Sequence, residues 1–192
     1  TWRSPPGSMA AWQKFHRMCI RQVMTIITTN EYRVGTSMIA RLRQGLHARI
    51  VRRLSAPRLP HQLGPSALGL QAQSLQLASA SGKKLFAWFV PARRFGPMPA
   101  VLVMHGWGAN ASLMLPAAVP LHAAGFAVLL IDARCHGASD DDDFSSLPRF
   151  SEDIETGLDW LRGQPDIDSA GLAIMGHSVG AGAALLCATR RA

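Results

Sequence analysis

Ser178 lies between two glycines in Gly176-His177-Ser178-Val179-Gly180, directly after the apolar run Leu172–Met175 and directly before the small-residue stretch Ala181-Gly182-Ala183-Ala184. This order reads as a buried strand, a turn and a helix packed close to the strand it leaves. A serine on a turn that tight has a strained backbone, which lifts its oxygen clear of the sheet. Bulky neighbours would collide, and Gly176 and Gly180 remove them. Ser178 is therefore the candidate nucleophile, His177 is elbow framework, and the following helix N-terminus adds positive potential beside the hydroxyl.

The residues before the elbow set the layer plan. Ser74–Ser79 alternates apolar and polar side chains, Ser81-Gly82-Lys83 supplies turn chemistry, and Leu85–Val90 follows, so these form a hairpin. Ala100–Met104, Ala127–Ile131 and Leu172–Met175 are continuous apolar runs, suited to parallel strands buried on both faces. Two crossover helices connect them. One runs from about Leu113 to Ala124 and stops at Gly125; the other is expected to start at Ser151 as N-cap, with Glu152, Asp153 and Glu155 in its first turn and Ile154, Leu158 and Leu161 facing the sheet. The fold class is α/β, with a mostly parallel sheet flanked by helices.

Strand Ala100–Met104 runs into His105-Gly106-Trp107-Gly108. A His-Gly-x-Gly loop there can present a backbone N–H to a developing oxyanion, so the Trp107 and Val179 N–H groups are the expected pair. After the next strand comes Asp132-Ala133-Arg134-Cys135-His136-Gly137-Ala138-Ser139. These three motifs, in this order and each one crossover helix apart, resemble the α/β-hydrolase superfamily from about Ser74 onward, especially its bacterial serine-aminopeptidase-like and esterase-like members.

The resemblance implies a serine hydrolase acting on a small-molecule ester or amide by acyl transfer. It makes the Asp132-to-Ser139 loop structural. Asp132 and His136 also have the chemistry of a triad acid and base, but their strand is expected to neighbour the oxyanion-loop strand rather than the elbow strand. The family order is Ser, then Asp or Glu, then His beyond the elbow, and only Thr189–Ala192 follow the elbow helix. The expectation is thus the N-terminal half of the fold, inactive by itself, with an open elbow strand prone to aggregation. A serine at the elbow also disfavours dehalogenase-type chemistry, which needs a carboxylate there, and dienelactone-hydrolase chemistry, which usually uses cysteine.

Charge divides the chain. The net +8 comes wholly from residues 1–60, where ten arginines and Lys14 face only Glu31; the remainder is slightly acidic. Residues 1–69 read as a basic extension with helical stretches at Ala10–Thr28 and Ser37–Leu54 and a Pro/Gly/Ser-rich linker, and 70–192 as the hydrolase domain. The extension has few large apolar anchors, so it reads as a loosely packed segment rather than a membrane-surface helix. The rival function is a non-enzymatic protein binding membrane or other anionic surfaces through this segment; nucleic acid is not expected.

Cys19, Cys135 and Cys187 show no ligand or disulfide spacing, which fits reduced thiols and a cytoplasmic setting. No metal or organic cofactor is called for. Asp140–Asp143 reads as a solvated run, and His16, His47, His61 and His122 take no role. Substrate identity and oligomeric state stay open.

Overall fold

The computed structural model describes residues 43, 45, 46, 55–93 and 96–191. The chain divides between Arg49 and Ile50, and every element below belongs to the second unit. The helical stretch expected at 10–28 lies outside the described residues, as does that at 37–54 apart from three helical positions, Arg43, Gly45 and Leu46. No described helix is long and apolar enough to cross a membrane.

Strands β1 (Gln73–Ala78) and β2 (Lys84–Val90) form the hairpin, paired antiparallel. Strands β3 (Met98–Met104), β4 (Ala127–Ile131) and β5 (Ile167–Gly176) run parallel, and the sheet order is β1-β2-β4-β3-β5 with β2 antiparallel to β4. All five β4 residues are buried because the sheet is covered on both sides. Val128 and Leu130 join Val101, Val103, Trp88 and Leu115 of helix α1 (Ala111–Ala123) in one core. Leu129 and Ile131 join Leu102, Met104, Phe150 and Ile154 of helix α2 (Leu147–Arg162) in the other, with Ala183 and Cys187 of α3 (Val179–Arg191). Alternate side chains of one strand thus belong to different cores, as a period of two requires.

The expected start of α2 at Ser151 is corrected. The N-cap is Ser146, whose hydroxyl accepts the Arg149 N–H, and Pro148 occupies the first turn. Proline belongs there because its missing N–H would have no helical partner. Ser151 lies within the helix, fully buried. The acidic residues taken for a first turn have a different task. Asp153 accepts from the Arg134 N–H (2.8 Å) and from its guanidinium (Nε 2.9 Å, Nη2 2.6 Å), fixing the loop after β4 to α2.

Asp142, expected in the solvated run, also departs from expectation. It is largely covered and faces Arg134 (3.4 Å), Arg149 (3.1 Å) and Lys83 (4.0 Å), while Asp140, Asp141 and Asp143 are exposed. Burial works against the Arg134 charge, but the bonds and charge of Asp153, with Glu152 and Asp142, outweigh it and raise the guanidinium pKa. Asp153→Ala leaves the Arg134 N–H and Nε–H without their acceptor, while Glu152 (3.1 Å) and Asp142 (3.4 Å) still face the guanidinium. It should cost about 1–3 kcal/mol in urea unfolding, the range for leaving a buried donor unsatisfied; a loss below about 0.5 kcal/mol would show that these bonds hold nothing.

Candidate active site

The elbow is built by backbone contact. The His177 N–H donates to Met104 O across the ends of β5 and β3 (3.0 Å), and Gly180 and Ala181 N–H donate to His177 O and Ser178 O (2.9 and 3.0 Å). A Cβ at Gly180 would stand 2.7 Å from Met104 O, and one at Gly176 would meet the backbone of Gly180 and Ala181. Neither neighbour can yield, so strand and helix meet here only through glycine. Ser178 takes φ 54°, a left-handed conformation that a residue with a side chain adopts at a cost. Its side chain is exposed.

Loop 105–108 lies against the elbow. A Cβ on Gly106 would stand 2.9 Å from His177 Nδ1 and 3.3 Å from Ser178 Cβ. Trp107 is 42% exposed, its ring stacked on Phe150 at 6.3 Å between centroids. The N–H groups of Trp107 and Val179 donate to no described residue, while those that follow them, of Gly108 and Gly180, donate to His136 Nε2 (3.1 Å) and His177 O (2.9 Å). The sequence-derived residues Ser178, Trp107, Val179, Gly176, His177, Gly180, His105, Gly106 and Gly108 therefore occupy one corner of the sheet, at the ends of β3 and β5.

His105 and His136 hold this corner reciprocally. His105, from the first loop, donates from Nδ1 to Gly106 O (2.7 Å) and accepts the Ala133 N–H of the Asp132 loop at Nε2 (3.0 Å). His136, from the Asp132 loop, donates from Nδ1 to Arg134 O (2.9 Å) and accepts the Gly108 N–H of the first loop at Nε2 (3.1 Å). Each ring is buried and must be neutral to accept at Nε2. Burial pushes the His105 pKa down to about 4, and burial lowers that of His136 as well.

Neither ring has a nitrogen left for proton transfer, and β4 adjoins β3 rather than β5. Asp132 is fully buried and accepts from Ala111 N–H (2.7 Å), Ala138 N–H (2.8 Å) and His61 Nε2 (2.8 Å). His61, assigned nothing from sequence, is thus bonded to the loop, and its ring lies 5.0 Å from Phe86 and 4.6 Å from Trp88. Those rings belong to β2, three strand spacings from β5, about 14 Å. His122, also assigned nothing, bonds Pro91 O (3.1 Å).

A mixed sheet with a parallel β4-β3-β5 half, flanked by helices, with a serine elbow and a glycine loop at its strand ends, defines an α/β-hydrolase. Residues 96–192, half the chain, match the model of the hydrolase family described as serine aminopeptidase, S33, and the chain belongs to that family. It is 36% identical over 110 residues to the uncharacterized protein Rv2307c of Mycobacterium tuberculosis, covering 57% of this chain and 38% of that one. It is 28% identical over 122 residues to the polyketide transferase af380 of Aspergillus fumigatus, covering 62% and 41%.

Among solved structures, the esterase Pf2001 of Pyrococcus furiosus superposes with a TM-score of 0.63 at 24% identity, over 69% of this chain and 50% of that one. Est1E of Butyrivibrio proteoclasticus, solved with ferulic acid bound, gives 0.56 at 21% identity, over 61% and 48%. At these identities the structural likeness concerns the fold. The chain spans between 38% and 50% of the length of these relatives.

The paired histidines predict an acid limit. The folded pKa of His105 lies below its unfolded value of 6.5, so its contribution is whole above about pH 6.5 and is lost as pH falls toward 4, amounting to about 3 kcal/mol. Unfolding free energies at pH 7, 5.5 and 4 should show this decline, and His105→Gln, which does not titrate, should flatten it. An unchanged slope in that variant would remove His105 as its cause.

Proposed function

We propose that the protein is a serine hydrolase that cleaves a small-molecule ester or amide by acyl transfer, with Ser178 as nucleophile. The observation carrying this is the exposed Ser178 on a left-handed turn, beside two backbone N–H groups that no described residue uses. Ser178 Oγ attacks the carbonyl carbon and gives up its proton to a base. The carbonyl π electrons move to oxygen, which the N–H groups of Trp107 and Val179 hold as the oxyanion. Collapse expels the alcohol or amine with that proton, and water releases the acyl group by the same steps.

The base and its supporting carboxylate belong, in this reading, beyond the elbow helix, where this architecture keeps them. His105 and His136 are spent on backbone partners, and His61 is committed to Asp132. The 192 residues alone are therefore expected to show at most the residual rate that binding and an oxyanion hole supply. The reaction calls on no metal or organic cofactor.

The test is hydrolysis of a p-nitrophenyl ester by the full-length protein. Ser178→Ala should lower kcat/KM by at least about a thousandfold, and Trp107→Pro, which deletes one N–H, should lower kcat by about a hundredfold or more. Activity that survives Ser178→Ala would end the reading.

A further inference from the structure

Residues 57–62, part of the Pro/Gly/Ser-rich stretch between the basic segment and the domain, lie along the loop that carries Trp107. Pro57 sits over Gly108: a methyl group added there would stand 3.1 Å from its ring. The Asn110 side-chain amide donates to both Leu59 O (2.8 Å) and Pro60 O (3.1 Å), while Asn110 Oδ1 caps α1 through the Ser112 N–H (3.1 Å). The Gln62 N–H donates to Ser112 Oγ (3.2 Å).

Two further anchors tie the segment to the Asp132 loop. Arg58 Nη1 donates to Gly137 O and Ser139 O (each 2.7 Å), and its Nη2 pairs with Asp141 (2.6 Å). His61 bonds the buried Asp132, which also holds the Ala111 N–H at the start of α1. A tether between segments needs none of this: the Leu59 and Pro60 carbonyls and the Pro57 and His61 rings each meet a group in one of two site loops.

The Trp107 N–H has no partner among the described residues, so its direction follows from how Gly106 and Gly108 are held. The elbow contacts Gly106, and His136 takes the Gly108 N–H. The remaining side of Gly108 is covered by Pro57. We propose that Pro57–Gln62 is a positioning strap that fixes loop 106–110 so that the Trp107 N–H points at the reacting carbonyl. This rests on Ser178 being the nucleophile. The strap touches no reacting atom; it acts through the loop, and about 1 Å of misplacement there can cost a hundredfold in rate.

Asn110→Asp tests this directly. The carboxylate still caps α1 but has no donor for the Leu59 and Pro60 carbonyls. His61→Leu releases the second anchor, and His61→Gln, which keeps a donor toward Asp132, is the rescue. In the full-length protein, hydrogen exchange at the bonded Gly108 and Ala109 amides should rise about tenfold or more in the first two variants, with β3 and β4 amides unchanged. Ester turnover should fall about ten- to a hundredfold in kcat with KM within about twofold, and His61→Gln should restore both.

Unchanged loop exchange in both variants would overturn the strap. So would a uniform rise through β3 and β4, or faster loop exchange with parental kcat. A parent protein that hydrolyses neither ester nor amide would instead overturn the Ser178 reading, and the exchange measurement would then decide by itself whether the segment holds the loop.

Discussion

The carboxylate of Asp132 sits without solvent contact at the end of β4, and a buried negative charge is tolerable only if its lone pairs are occupied. The occupants come from separate places: the N-terminus of α1 through Ala111, the carboxylate's own loop through Ala138, and the segment before the sheet through His61. Its backbone carbonyl also takes the Ser139 hydroxyl (2.6 Å), which in turn accepts the Phe86 N–H of β2 (2.8 Å). One side chain thus sets where a helix begins, how a loop folds and where an upstream segment lies.

From that anchor the corner assembles by exchange of backbone bonds. The Asp132 loop lends the His136 ring to the first loop, and the first loop lends the His105 ring back. Arg134 carries the same loop across to α2 through Asp153. The elbow then docks on this corner through Met104 O and the glycine contacts at positions 106, 176 and 180. A strained Ser178 persists because the backbone on both sides is over-determined, which is how left-handed residues survive at functional positions.

The strands were legible because a run such as Ala127–Ile131 has no polar residue to place at a surface, and the elbow because glycine, serine and small residues in that order have few other uses. Leu172–Met175 forms a strand as expected but is not buried on both faces, since β5 is the last strand of the described sheet and Ala173 and Met175 are exposed. The start of α2 was misread from its acidic residues, although Pro148 marked the true first turn. His61 offered no local signal: its partner is 71 residues away, and only the folded chain brings them together. Asp142 likewise looked like one of four equivalent carboxylates until Arg134, Arg149 and Lys83 gathered around it. Period and motif are local properties, whereas partners supplied by other elements are not.

The central claim is that Ser178 is a nucleophile, and a fluorophosphonate probe reads that most directly. In the full-length protein the Ser178 oxygen should displace fluoride from phosphorus, and peptide mass spectrometry should find one probe per chain, on Ser178. An unlabelled Ser178, with the probe elsewhere or absent, would contradict the account.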